Sequence, residues 1–257
     1  MPAPTGGGTS SGPVAPPGPS AVPGVDTPAP PGFVDLSDVD PTILMDIRYA
    51  TAHNFTGRPV TGYLEPRCLL TRQAAQALHR AQVAARAQGF SLKVYDCYRP
   101  TRATQDFATW AGTGDQRMKR EFYPDEPKGR VFADGYVAHR SNHSSGSTVD
   151  ATLVPVPTPS QRPYRPGEPL VPCTAPMGVR FPDNSIDMGT GFDCFDPRSH
   201  TMDSRITGAP HANRLLLRRL MRDAGFTGIA GEWWHFEFPG PFTGRYFNFP
   251  VARAALS

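Results

Sequence analysis

From Arg72 to Gln88 the chain reads RQAAQALHRAQVAARAQ, with Leu78, Ala81 and Ala85 recurring at helical spacing. That pattern predicts an amphipathic helix, with Thr71 placed to cap its start and Gly89 to end it. SLKVYDCY follows and alternates, Leu92, Val94 and Asp96 against Lys93, Tyr95 and Cys97, which predicts a strand that stops at Arg99-Pro100. TRATQDFATWAG reads as a second helix closed by Gly112, and residues 113–140 show no clear period. TVDATLVPV, residues 148–156, is a β-branched strand, and the prolines, glycines and aspartates of 157–210 predict mostly loop. HANRLLLRRLMRDAGF is the third helix, ended by Gly225, with its arginines on a solvated face, and GEWWHFEF (231–238) is a final strand. Helices and strands intersperse without a sustained βαβ rhythm. The fold class is therefore α+β, a small, mostly antiparallel sheet flanked by helices.

Composition changes this picture at the N-terminus. Residues 1–32 hold ten prolines and seven glycines, and Asp26 is their one charged side chain. Such a segment buries too little apolar surface to offset its ordering entropy and reads as a disordered or polyproline-like linker. Residues 33–257 remain as one domain, long enough for a core of its own. With 26 basic and 23 acidic residues and no basic run, the chain offers nothing a nucleic acid would select. No run approaches the ~18 apolar residues of a transmembrane segment, and nothing sets an oligomeric state. A proline- and glycine-rich tether before a compact domain is common in exported, surface-attached proteins. The expected location is therefore extracytoplasmic, periplasmic or at the cell surface, with the export signal not among these residues; the cytoplasm is the alternative.

Four cysteines, Cys68, Cys97, Cys173 and Cys194, contain no CxxC pair and make a poor zinc ribbon. Cys68 precedes the first helix and Cys97 ends the strand after it, two points that helix-then-strand packing can bring together. Cys173 and Cys194 flank a loop-rich stretch. The favoured disulfides are 68–97 and 173–194, each contributing roughly 3–4 kcal/mol in a chain-entropy account. Four buried free thiols are the alternative.

SNHSSGSTVDATL places His143 seven residues before Asp150, with Gly146 between them. On a helix the two would stand roughly 10 Å apart, too far to share an ion with ligands at about 2 Å. In a turn followed by a strand they can converge, and Asp150, between Val149 and Ala151, would face a sheet surface where a carboxylate needs a cation or a donor. GEWWHFEF supplies Glu232 and His235. Positions three apart in a strand face opposite ways, so both can serve one site only if Glu232 lies on the turn and His235 on the strand. The plain alternative for His235 is a buried, hydrogen-bonded core histidine. Two histidines, an aspartate and a nearby glutamate fit a catalytic zinc site, with three ligands, a position open for water, and a carboxylate to act as general base and acid.

These residues also carry a resemblance. SNHSSGSTVD fits an SxHxxGxxxD signature and GEWWHFEF an ExxH signature, alongside NFTGRPVTGY (54–63), DCYRP (96–100) and MGTGFDCFDPRSH (188–200). From about Phe33 to the final NFPV the chain resembles the zinc D-alanyl-D-alanine dipeptidases of the vancomycin-resistance type. The resemblance implies the hedgehog/D,D-peptidase-like fold and one Zn2+ per chain held by His143, Asp150 and His235. It implies Glu232 as general base and acid, Arg99 steadying the oxyanion, Asp193 near the substrate ammonium and Ser141 helping to hold the substrate carboxylate. The implied substrate is a small dipeptide, D-Ala-D-Ala or close to it. His53, His79, His139, His200 and His211 are left as structural or surface residues. Thr148 departs from the alanine of the stricter signature, and the leader and four cysteines are similar to exported relatives. The rival readings are a D,D-carboxypeptidase or endopeptidase acting on peptidoglycan peptides, and a non-catalytic zinc-bearing binding domain.

Overall fold

Thr71 caps the alanine-rich helix as its position predicts: the hydroxyl oxygen accepts the Ala74 amide at 3.4 Å, and the chain turns away at Gly89, φ +80°. The computed structural model describes Met1 and residues 28–256; residues 2–27 of the predicted linker lie outside the described residues. The packed chain begins earlier than composition suggests. Ala29 is buried and donates its amide to the Ala255 carbonyl at 2.8 Å, so residues 28–32 lie with the domain rather than with the linker.

In chain order the elements are β1 (Phe33–Asp35), α1 (Leu36–Val39), β2 (Leu44–Met45), β3 (Leu69–Thr71), α2 (Arg72–Arg86), β4 (Phe90–Asp96), α3 (Thr101–Ala111), α4 (Lys119–Phe122), β5 (Thr148–Pro155), α5 (Gly208–Asp223), β6 (Thr227–Gly228) and β7 (His235–Glu237). β1 and β3 form a two-stranded antiparallel sheet. The main sheet has the order β2-β4-β5-β7-β6, with β2 parallel to β4 and every other pair antiparallel. This is the α+β class with a mostly antiparallel sheet. From 157 to 207 the described chain has no strand and only one 3-10 turn, Pro197–Ser199, in keeping with the loop expectation.

Cross-strand partners share a face. Leu92 opposes Leu153, Val94 opposes Ala151 and Val149 opposes Phe236; this face is apolar, and α2, itself packed on α5, covers β4. The other face carries Lys93 opposite Thr152 and Asp150 opposite His235. Here the simple alternation of β4 needs correcting. A bulge between Val94 and Asp96 sets Asp96 opposite Asp150, turning it away from the Leu92 and Val94 side and onto the polar face.

Two further expectations change. The last strand is shorter than GEWWHFEF suggests, because the chain from Gly231 to Trp234 is a turn and β7 starts at His235. Arg214, expected on a solvated helix face, is buried. It donates to the carbonyls of Met188 (2.6 Å), His200 (2.7 Å) and Arg198 (2.9 Å), which accounts for a guanidinium inside the protein. The loop over the polar face is anchored in the same way. Asp183 accepts from Arg48 Nη2 and Tyr95 Oη, each at 2.7 Å, and pairs with buried Lys93. His53, left as a structural residue, is buried beside this cluster and bonds Glu121 at 2.7 Å.

Candidate active site

Ser141, Gly146 and the residues between them build the turn that delivers His143. Ser141 Oγ accepts the His143 amide at 3.3 Å and caps a 3-10 turn over Asn142–Ser145. Gly146 closes it with φ +77°, and a Cβ there would lie 2.1 Å from the Phe33 ring, so the position requires glycine. β5 then starts at Thr148 and turns Asp150 toward the same point, while β7 brings His235 opposite Asp150. The small polar stretch between His143 and Asp150 is a turn into a strand.

The three side chains meet. His143 Nε2 lies 3.3 Å from His235 Nδ1 and 3.3 Å from Asp150 Oδ1, and His235 Nδ1 lies 3.2 Å from Asp150 Oδ1. For a tetrahedral ion with ligands at 2.0–2.1 Å, neighbouring donors stand ~3.3 Å apart. The remaining ring nitrogens are committed outward. His143 Nδ1 donates to the Cys97 carbonyl at 2.7 Å, and His235 Nε2 bonds Glu237 Oε1 at 3.2 Å. Each imidazole is thus oriented so that its other nitrogen points to the common centre.

The electrostatics ask for a cation there. Burial opposes ionisation of Asp150, yet His143 and His235 hold its carboxyl well below the usual range. Burial likewise opposes a charge on His235, but its hydrogen bonds to Asp150 and Glu237 push it up to about 10. Without a metal a proton supplies the positive charge; the donor set of two imidazoles and one carboxylate fits a divalent ion of the zinc type.

Glu232 sits on the turn before β7, as a shared site demands, with Oε2 3.6 Å from His235 Nδ1. Burial, helped by the Asp150 charge, raises its carboxyl to about 7, against the pull of His235 and Arg99. Arg99 lies three residues past the end of β4. Its Nε and Nη2 lie 2.9 and 2.8 Å from Asp96 Oδ2, Nη2 is 3.7 Å from Asp150, and its guanidinium lies over the Tyr49 ring. Asp193 faces the same cleft from the loop above, accepting Tyr49 Oη at 2.7 Å, and its backbone is left-handed at φ +56°. Ser141 lines the cleft too, so Arg99, Ser141, His143, Asp150, Asp193, Glu232 and His235 all open onto one solvent-connected cavity of about 210 Å³. Both disulfides are present, Cys68–Cys97 and Cys173–Cys194.

Sequence reasoning passed over four supporting residues. Asp96 was hidden by the bulge, and Tyr49 has no local pattern that marks it. Tyr63, which donates to Asp96 at 2.6 Å, stood in a quoted motif without a role. Glu237 was findable: two positions after His235 on a strand, it must share its face.

Comparison with known proteins points the same way. A family profile described as D-ala-D-ala dipeptidase (Peptidase_M15) matches residues 30–156 and 181–252. The chain is 36% identical over 223 residues to a D-alanyl-D-alanine dipeptidase of Enterococcus faecalis, covering 86% of this chain and 98% of that protein. It is 39% identical over 224 residues to one of Streptomyces coelicolor, again covering 86% and 98%. Among solved structures, a vancomycin resistance D,D-pentapeptidase in complex with Zn(II) aligns over 69% of this chain and 77% of its own, with 16% identity and a TM-score of 0.35, a likeness too slight to argue from.

Proposed function

The chain belongs to the D-Ala-D-Ala dipeptidase family, Peptidase_M15, and from that premise we propose how its residues hydrolyse D-Ala-D-Ala. His143, Asp150 and His235 would hold one zinc ion per chain. The bound metal supplies Lewis acidity to the scissile carbonyl and lowers the pKa of water to about 7. Glu232, raised to about 7, takes the proton of the attacking water and returns it to the leaving amine. Arg99 is held by Asp96, so its guanidinium meets the developing oxyanion without first having to be ordered. Asp193 receives the substrate ammonium, and Ser141, whose hydroxyl proton remains free to donate while its oxygen caps the His143 turn, takes the carboxylate.

The observation that carries this reading is the triangle of donor atoms, each side 3.2–3.3 Å, with the Glu232 carboxylate beside it. The test is D-alanine release from D-Ala-D-Ala by the chelated and zinc-restored protein, beside a pentapeptide ending in D-Ala-D-Ala. Release from the free dipeptide alone, restored by zinc, supports it. Equal release from the pentapeptide makes the protein a D,D-carboxypeptidase, and no release from either makes it a binding domain.

We also assign the protein an extracytoplasmic place. All four cysteines are paired, and such bonds persist in oxidising compartments. Recovery from its host in a cytoplasmic fraction with four reactive thiols would contradict this.

A further inference from the structure

We propose that the two disulfides divide the support of the site between them, Cys68–Cys97 serving the metal-binding half and Cys173–Cys194 serving the half that receives the substrate's amino end. The second assignment rests on the reading of Asp193 as the ammonium partner.

Cys97 lies between Asp96 and Arg99, and its own carbonyl accepts His143 Nδ1 at 2.7 Å. That bond sets the ring orientation and tautomer of His143. The disulfide ties Cys97 to Cys68, which precedes β3. The adjoining backbone is stitched in as well, since Tyr98 donates to the Leu69 carbonyl at 3.0 Å and Arg99 to the His143 carbonyl at 3.3 Å. A shift of the 97 carbonyl therefore reaches the metal ligand directly.

Cys194 follows Asp193, which is the one described non-glycine residue with a positive φ. An L-residue in that conformation is disfavoured, aspartate less than most, by a factor of roughly 2–10. Arg214 clamps the loop at Met188 and again at Arg198 and His200, on either side of the segment that holds Asp193. Within that segment the covalent tie is Cys194 to Cys173. Cys173 also accepts the Gly191 amide on its carbonyl at 2.8 Å and donates its own amide to the Glu121 carbonyl at 2.9 Å. Cys173 thus holds both neighbours of the Phe192–Asp193 step, Cys194 through the disulfide and Gly191 through its backbone carbonyl. If it is opened, the left-handed conformer loses its covalent brace, the competent fraction of the loop falls, and apparent affinity falls with it.

The experiment uses the full chain with each bridge removed separately, as Cys68→Ala with Cys97→Ala and as Cys173→Ala with Cys194→Ala, beside Asp193→Asn. Zinc affinity is measured by chelator competition, and KM and kcat for D-Ala-D-Ala at saturating zinc. Loss of 173–194 is expected to raise KM about 2–10-fold with zinc affinity unchanged. Loss of 68–97 is expected to weaken zinc binding about 10–100-fold with KM unchanged once zinc saturates. Should either pair fail to fold, the same readouts are taken on wild-type protein in which that bridge alone has been reduced and alkylated. Zinc affinity and KM moving together in both cases, or an unmoved KM after loss of 173–194, overturns the proposal. An unmoved KM in Asp193→Asn overturns the ammonium reading itself, and with it the second assignment.

Discussion

Replacing Glu232 by glutamine should make the metal-free protein more stable and nearly inactive at once. The carboxyl of Glu232 is raised from its ordinary value of 4.5 to about 7, chiefly because the cleft desolvates it. A carboxyl raised on folding binds more protons in the native than in the unfolded state. Its cost to stability is therefore absent below pH 4.5, grows as pH climbs toward 7, and is constant above. A shift of that size corresponds to a ceiling of about 3 kcal/mol at pH 8. The side chain keeps 22% of its surface open to the cleft, where water can solvate the charge, so a gain of about 1–3 kcal/mol is expected. Urea unfolding of chelated wild-type and Glu232→Gln protein at pH 5 and pH 8 measures it: most of the gain should vanish at pH 5. The same substitution removes the proton acceptor, and kcat with zinc restored should fall by about 10²–10⁴. A stabilisation as large at pH 5 as at pH 8, or a variant less stable at pH 8, would falsify the desolvation account.

Other substitutions probe the remaining parts. Arg99→Ala should lower kcat by about 10²–10³ while KM changes little; a matching loss of bound zinc would show a structural effect instead. Glu237→Ala removes the acceptor that fixes the His235 tautomer and ties it to Asn142, whose Nδ2 donates to Glu237 at 2.8 Å. Chelator competition should show zinc affinity about tenfold lower, and an unchanged affinity would contradict that role. Zinc loading at pH 7 should release at least one proton per site, because His235, up to about 10 without metal, must be neutral to ligate, and Glu232 and the metal-bound water, each at about 7, add a further fraction. Calorimetry in buffers of different ionisation enthalpy reads this, and zero net release would contradict the assigned His235 state.

What could be read from the sequence was whatever depends on neighbours along the chain. The alanine-rich helix, its Thr71 cap and the loop character of 157–207 are local properties, and so is the turn at Gly146 that lets His143 and Asp150 converge. The position of Glu232 off the strand followed from period-two geometry together with the premise that it shares a site with His235. What escaped is non-local. The β4 bulge that turns Asp96 toward Asp150 depends on pairing with β5, which the alternation of SLKVYDCY does not encode. Arg214 looks like any solvated arginine until the loop from Met188 to His200 folds over it. The early start of the domain at Ala29 has a similar origin, since its partner is at Ala255, the far end of the chain.

The central claim is that His143, Asp150 and His235 grip a single ion. Zinc titration of the chelated protein by calorimetry tests it most directly, beside His143→Ala, Asp150→Ala and His235→Ala variants whose circular dichroism matches wild type. Tight binding of one ion per chain, lost or severely weakened in each variant, is the predicted result. Undiminished stoichiometric binding in any of the three variants would contradict the claim.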